Sequence, residues 1–582
     1  MTGDNRQRKI SRLLIYSLVP IVLTLLLIKR IGSYDIWYHM VIGRKIFENF
    51  SIPKTEFFLY PILGEETSFH EWGFGFLFYT AHRWFGFWGM SILHALIGGG
   101  TLYLFYRAAE VDRRNNPLAI MFLSVILILV YYRLIYRPEI VLFLCLGFEI
   151  YLLEKFALDM RWKVLLPIPV LSFFLSNFHP SVFFLLLVFG FYIIQFSWVA
   201  YRNHIPQSRI LGISVSFLFA SILTSLINPY GIQQVILPFS YMQSGELLKS
   251  VNEYLPTLTT TLKWPFIAIC SVSFLVLVFQ KNRRPVDWLL FVFFGYLGLK
   301  YVRNVALFGL VMYIPVVRGF DQLTAGVPFF ASNIGKKILW SSACLAVGIA
   351  ATVILQQGKW GAGPNLQRFP DEAVRVIKEV EPPGRIMNYY DTGGYLAWKL
   401  YDEYRVFIDG RRYDMDKITK LHNRIFFKGD PQWEQILARY HVSTIVTRAT
   451  ARFTGQLIPL VAYLYIDDDW VLSAVEPWYY LFVRREAIKD WGDVPVLDKK
   501  IIWQMVIKET EAIASMFGYS AQTHLSRGIA YFKLGNWKAA KESFEKYLQK
   551  NPSDEEVKQI IAWFEAAERG DMTAKKNLEM FY

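Results

Sequence analysis

Cysteine is scarce, with three in 582 residues (Cys145, Cys270, Cys344), all inside apolar runs. A disulfide framework and a cysteine-ligated zinc site are therefore not expected. Charge is scarce too, at 19% against about 25% for an ordinary soluble chain. No Gly-x-Gly-x-x-Gly or Gly-Lys-Ser/Thr loop occurs, so no nucleotide site is indicated. The place of these features is taken by apolar side chains, 54% of the sequence, concentrated in the first 356 residues. Aromatic residues make up 17%, which excludes disordered and fibrous classes. A chain of this length exceeds one core, so more than one domain is expected. The net charge of +14 fits cytoplasmic anchoring of a membrane chain, and no nucleic-acid partner is expected.

A membrane span needs about 20 mostly apolar residues. Runs of that kind lie at 13–28, 87–106, 117–132, 139–157, 163–177, 181–200, 210–227, 264–280, 286–299, 303–318 and 337–355, about eleven in all. Arg6, Arg8, Lys9 and Arg12 precede the first run, and Lys29-Arg30-Ile31 follows it where a cleavage site would need small residues. The first helix is read as uncleaved, with its N-terminus inside. The loops assigned inside (107–114, 154–163, 201–209, 281–284 and the segment ending Lys336-Lys337) all carry Lys or Arg. An odd number of spans puts everything after 356 outside, in the periplasm if the membrane is a bacterial inner membrane. A reporter fused after Gln357 is expected to be active only in the periplasm, and a cytoplasmic signal would overturn this topology.

Two outside turns carry cations against the rule: Arg133 to Glu139, which includes Arg137-Pro138, and Lys300-Tyr-Val-Arg303-Asn304. Snorkelling toward headgroups is one account. A site for a phosphate at the outer surface is the other. The long first outer loop, 31–86, contains Asp35-Ile-Trp-Tyr-His39, an amphipathic stretch to Phe50 stopped by Ser51-Ile-Pro53, and then His70-Glu71-Trp72. Helical pieces lying flat on the outer leaflet would fit it. Asp35 and His39 are four apart and share a helical face. Such a pair can bind a metal or pass a proton. Asp35 can equally be a helix N-cap, and His70-Glu71 a helix start. Asn177, His179, Asn228 and Glu253 fall on the same side. An outward-facing polar site is the economical expectation.

Residues 357–490 read as an α/β domain. Helices are expected at 370–380, 395–400 and 433–440, and strands at 385–388, 405–409 and 442–447, with a closing hairpin of 470–474 and 479–483. The first strand should end in a Gly-Gly turn. Asp409 and Arg411 would then stand at a C-terminal strand edge, the usual ligand position of open α/β sheets, and Asp391 could join them. The alternative is a turn with a local Asp–Arg pair. Residues 491–582 carry a tetratricopeptide pattern from Ala521, with Gly528, Tyr531, Ala540, Phe544 and Pro552 at the right offsets. His524 and Arg527 replace the usual Trp and Leu, and Tyr547 fills a position normally Ala. Only one repeat matches. Helices at 496–517 and 553–568 would flank it, making a unit able to hold a protein partner or peptide.

The chain resembles the GT-C superfamily of membrane glycosyltransferases, which includes protein mannosyltransferases, the lipid A aminoarabinose transferase and oligosaccharyltransferases. More closely, it resembles a bacterial family of GT-C-like membrane proteins. The matching pieces are Asp35-Ile-Trp-Tyr-His39 with Gly43, Ile52-Pro53, His70-Glu71-Trp72, Arg137-Pro138, Asn177-Phe-His179, Asn228-Pro-Tyr-Gly231, Asn388 to Tyr395 and Val406-Phe-Ile-Asp-Gly-Arg411, over roughly residues 30–485. The resemblance implies a polytopic helical membrane domain, 1–356, followed by the periplasmic domain, 357–490, and the helical unit, 491–582. It implies inverting sugar transfer from a polyprenyl-phosphate-linked donor to an envelope acceptor. Asp35 matches the acidic residue that acts as base on the acceptor or holds a divalent metal, with His39 beside it. The sequence departs from better-known members in having no adjacent Asp-Glu or Asp-x-Asp pair in this loop, so the second carboxylate would be Glu71. His70, Arg137, His179 and Arg303 would bind substrate. The competing expectation is a non-catalytic membrane scaffold that uses the periplasmic and tetratricopeptide-like domains to hold an envelope assembly.

Overall fold

A computed structural model describes residues 20–111, 116–243, 252–411, 416–488 and 494–580. Most of the expected first span, its basic leader and the end of the 107–114 loop lie outside the described residues. Residues 20–26 are helical.

In lipid a helix satisfies its own backbone, so long apolar runs have one stable local form. All ten apolar runs expected between 87 and 355 are helices: Trp72–Ala109, Pro117–Val130, Glu139–Asp159, Pro167–Phe178, Phe183–Arg202, Gln207–Ser225, Lys263–Phe279, Pro285–Lys300, Val305–Ala325 and Asn333–Leu355. Among the described residues, five helices are long and apolar enough to cross a membrane: Trp72–Ala109, Pro180–Arg202, Gln207–Ser225, Val302–Ala325 and Asn333–Leu355. The protein is a multi-pass membrane chain. Proline opens several of these helices, at Pro117, Pro167 and Pro285, where no N–H is missed. The helix from Trp72 breaks at Gly86 (φ 60°, ψ −156°), so its first half belongs to the long first loop and its second half begins where the apolar run begins. The helix Ile232–Gln243, with Pro238 inside, was not expected from the sequence.

The chain forms two compact units, one of Met1–Pro53 with Ser68–Pro364 and the other of Lys54–Thr67 with Asn365–Tyr582. In the first, residues 29–31 pair with 359–364: Arg30 N–H donates to Lys359 O (2.7 Å) and Ile31 N–H to Gly363 O (2.8 Å). The two ends of the helical part are thereby tied together.

The second unit holds a four-stranded sheet in the order β1-β2-β4-β3, with β1 Arg385–Asn388, β2 Val442–Thr447, β3 Trp470–Val475 and β4 Tyr480–Arg484. β1 runs parallel to β2, and the other pairs are antiparallel. Every residue of β2 is buried, consistent with a central strand covered on both faces. The helices Asp371–Val380 and Trp433–Arg439 fall where the sequence pattern placed them.

Two expectations need correction. Residues 405–409 do not form a strand: Val406 makes only isolated bridges, to Leu59 and Ile386. The Asn388 side chain takes over the ladder there, accepting from Phe407 N (2.9 Å) and donating to Ile408 O (2.9 Å). The glycines after β1 do not turn the chain either but begin the helix Gly393–Leu400. A Cβ on Gly393 would stand 1.7 Å from Ile408 O, so only glycine lets this helix lie against the 405–409 segment.

At the C-terminal end the helices are Ile501–Phe517, Ala521–Lys533, Trp537–Lys550, Glu555–Glu568 and Met572–Met580. Ser520, Asn536 and Asp554 cap the second, third and fourth through side-chain oxygens. Gly528 lies so close to Phe544 that a Cβ would meet the ring at 2.6 Å. Glu509, buried in the first of these helices, accepts from Thr450 (2.6 Å) and Tyr480 (2.8 Å), which joins the helices to the sheet.

Candidate functional site

The helix Asp35–Asn49 packs on the helix from Trp72 by direct backbone approach. A Cβ on Gly43 would fall 2.1 Å from Gly75 O, and one on Gly75 would fall 2.4 Å from His39 O. Glycine at both positions therefore brings His39 onto Glu71, which precedes Trp72. His39 Nε2 lies 3.5 Å from Glu71 Oε2, and His179 Nε2 lies 3.6 Å from Glu71 Oε1. Ser181 N–H donates to His179 Nδ1 (3.1 Å). That bond assigns the proton of a neutral His179 ring to Nε2, facing Glu71.

The two arginine turns complete the cluster. A run of tight backbone bonds between 130 and 140, including Ile135 N–H to Arg133 O (2.8 Å) and Arg137 N–H to Ile135 O (2.7 Å), compacts the segment between two helices. Val302 N–H donates to Leu255 O (3.0 Å) and Tyr132 Oη to Val302 O (3.0 Å), which stitches three connecting segments together. Asp35 Oδ2 then meets Arg137 Nη2 at 2.7 Å. Arg137 also pairs with Glu253, and Arg133 reaches Glu253 (3.1 Å) and pairs with Glu139. Arg303 lies 3.6 Å from Glu139, donates to Tyr254 Oη (3.0 Å) and stands 5.3 Å over the Tyr254 ring. The result is an alternating chain of three guanidiniums and three carboxylates, with Glu71 as a fourth acid.

Burial pushes the Glu71 carboxyl up to about 8, the Asp35 charge adds to the rise, and Arg303 and Arg137 only partly offset it. Glu71 thus keeps its proton at neutral pH, and the three guanidiniums face three carboxylates. Burial lowers His179 to about 4, so its ring is neutral. For Glu253 burial acts upward, but Arg133, Arg137 and Arg303 outweigh it and hold the carboxyl well below its usual range.

Asp35, His39, Glu71, Arg137, His179 and Arg303 therefore meet in one cluster. His70 takes a supporting position: its Nδ1 is 2.7 Å from Gln234 Oε1, and its ring packs on Tyr230. Arg133, Glu139 and Glu253 were part of the outer polar set but not of the expected catalytic or binding residues. Their signal was the like placement of charge at several helix ends. Gln234 was not foreseen. It is fully buried and donates to His70 O (2.9 Å) and Ser176 O (2.8 Å), joining the Glu71 turn to the helix that ends beside His179. Its only cue was the Gln233-Gln234 pair at the start of a largely apolar helix.

Asp35 is the first residue of its helix. The N-cap position is Tyr34, which makes no side-chain capping bond. Among the described residues no group of three His, Cys, Asp or Glu side chains is placed to hold an ion. Asp35 is paired with the Arg137 guanidinium. Around Asp409 the structure has the alternative expected from the sequence, a local Asp–Arg pair. Asp409 and Arg411 pair at 2.7 Å, Arg411 reaches Glu56 at 3.0 Å, and all three are buried, while Asp391 pairs with Arg452 (3.5 Å).

No known protein-family pattern matches the chain, and no curated protein matches it in sequence. Among solved structures it is similar to the oligosaccharyltransferase of Archaeoglobus fulgidus in its apo form, with a TM-score of 0.52 and 12% identity over 90% of this chain and 86% of that one. It is likewise similar to the archaeal oligosaccharyltransferase AglB from Archaeoglobus fulgidus in complex with an inhibitory peptide and a dolichol-phosphate, with a TM-score of 0.51 and 12% identity over 92% and 87%. The chain shares the overall fold of these structures.

Proposed function

We propose that the protein is a membrane glycosyltransferase that moves a sugar from a polyprenyl-phosphate-linked donor to an envelope acceptor at the outer face of a bacterial inner membrane. The observation that carries this reading is the placing of Arg133, Arg137 and Arg303 at helix ends around Asp35 and Glu71, with the Nε of Arg133 and of Arg137 lacking an acceptor among the described residues. Those groups suit the phosphate that departs with the lipid. The fold shared with an oligosaccharyltransferase seen with dolichol-phosphate supports it.

Asp35 takes the proton of the acceptor hydroxyl, which then attacks the sugar carbon as the bond to phosphate breaks with inversion. Arg137 and Arg303 stabilise the negative charge that grows on the phosphate. Glu71, protonated at neutral pH, donates a hydrogen bond, and His39 and His179 hold its carboxyl.

A direct test follows from Glu71. Its proton is present below about 8 and lost above. Transfer by the purified chain, supplied with a polyprenyl-phosphate-linked sugar, should fall as pH rises through about 8. Glu71→Gln keeps a hydrogen-bond donor at all pH values and should remove that alkaline limb. An unchanged limb in the variant would remove Glu71 from the reaction.

The scaffold reading keeps two observations in its favour. Asp35 is already neutralised by Arg137, and the helices Ala521–Lys533 and Trp537–Lys550 pair through Gly528 and Phe544 as a tetratricopeptide-like hairpin would. In that reading the periplasmic units hold a protein partner, and the cluster is a structural ion network.

A further inference from the structure

A second polar centre lies at the opposite ends of the helices that carry the candidate site. Glu139 begins the helix Glu139–Asp159, and Glu154 lies fifteen residues further on, about 22 Å along the axis. Glu154 accepts two bonds from Arg284 (2.8 and 3.0 Å), lies 2.9 Å from Arg318 and accepts from Tyr192 Oη (2.7 Å). Arg318 is shared with Asp287 at 3.3 Å. Beside this network is a cavity of about 260 Å³, which Arg202, Arg283, Arg284 and Arg318 all line.

Two acids, Glu154 and Asp321, line the cavity against these four arginines. Glu154 and Asp287 hold Arg284 and Arg318, and Asp321 accepts from the neutral Asn116 amide (3.2 Å). Arg202 and Arg283 have no carboxylate partner among the described residues, and Arg202 rests over the Trp198 ring at 6.0 Å. Two polar atoms have no partner among the described residues: Gln195 Oε1, on a side chain only 3% exposed, and Arg284 Nε. The cavity therefore offers surplus positive charge, one buried donor and one buried acceptor. An occupant that satisfies all three is an anion carrying its own O–H. The rim bears Trp198 and Leu158, large apolar side chains that are 42% and 55% exposed. Such a rim suits acyl chains beside the headgroup.

We infer that this cavity binds the phosphate headgroup of an anionic, hydroxyl-bearing lipid, with Arg202 and Arg283 on the phosphate and Gln195 on the hydroxyl. The inference does not depend on sugar transfer at the other end of the helices. Free phosphate shares the charge and O–H chemistry, so the experiment includes it. The full chain is reconstituted in nanodiscs of phosphatidylcholine with phosphatidylglycerol, and retained lipid is read by native mass spectrometry. Inorganic phosphate is titrated separately by calorimetry. Wild-type chain should retain phosphatidylglycerol over phosphatidylcholine. Arg202→Gln and Arg283→Gln, both at exposed positions that leave the buried network intact, should each weaken retention roughly five-fold. Gln195→Leu should lower the preference without removing it. Equal retention of both lipids by wild type, or undiminished preference in the double arginine variant, would overturn the inference. Binding of inorganic phosphate that is lost in the double variant, without any lipid preference, would overturn the lipid as the source.

Discussion

Asp35→Asn is expected to lower sugar transfer by about 10²–10⁴-fold, the range typical for loss of a general base. The substitution keeps shape and hydrogen-bonding atoms but removes the carboxylate. Its structural cost should be small. The Asp35–Arg137 pair is about a quarter exposed on both sides, Arg137 keeps Glu253, and a partly exposed pair contributes about 1 kcal/mol or less. Membrane expression should therefore match wild type while transfer, or the native glycan phenotype, is lost. Full activity in Asp35→Asn would leave Asp35 as one link of a structural ion network and favour the scaffold reading.

Arg411→Met is expected to act the other way, on stability of the second unit with no direct role in transfer. Arg411 is the cation of a buried triad with Glu56 and Asp409, and its guanidinium also lies 4.4 Å over the Phe58 ring. Removing it leaves two carboxylates buried together, a loss of about 3–5 kcal/mol. For a unit of this size that lowers Tm by roughly 6–20 °C. Burial raises the Asp409 carboxyl to about 6, Arg411 opposes the rise and the Glu56 charge adds to it. The raised folded value means that Asp409 favours the folded state most when protonated. Its contribution is full below its unfolded value and is lost as pH rises through about 6. Acidification from pH 7 toward 5 should therefore recover part of the Arg411→Met loss, and adding Asp409→Asn should recover part of it at pH 7. Thermal unfolding of the full chain, with hydrogen exchange followed on 54–67 and 385–411, measures both effects. Wild-type stability in Arg411→Met would show that the triad does not hold this region together.

The helical part was legible because its signal is redundant. A run of apolar residues has one stable form in lipid, and proline or asparagine marks where several of the runs begin. The polar cluster was legible because arginines at helix ends contradict the charge pattern of the other loops. Pairing within that set was not. Sequence spacing put Asp35 with His39 on one helical face, yet Asp35 pairs with Arg137 and His39 faces Glu71. Those partners depend on the Gly43–Gly75 approach and on the packing of distant turns, neither of which leaves a local pattern. The 405–409 segment misled for a related reason. Its apolar run and bounding glycine read as a strand, while the buried Asn388 side chain, a tertiary partner, supplies the bonds that a neighbouring strand would have made. Residue Gln234 shows the same limit, since its role rests on carbonyls from two other parts of the chain.

The segment Lys54–Thr67 has a consequence for the order in which the protein is made. It is synthesised before the helix from Trp72, but its bridge at Val406 and its ion partner Arg411 emerge only after every membrane helix up to Leu355. At roughly 5–20 residues per second, that is a wait of tens of seconds. Until then the three backbone N–H groups of Phe57, Phe58 and Leu59 have the Glu56 carboxylate, but Glu56 has no cation and Leu59 no bridge. Folding of the second unit is thus timed by the ribosome's passage through the first. A chain that stalls or is cut before residue 406 carries this loop without its bridge and without its cation, and in that it differs from a finished molecule.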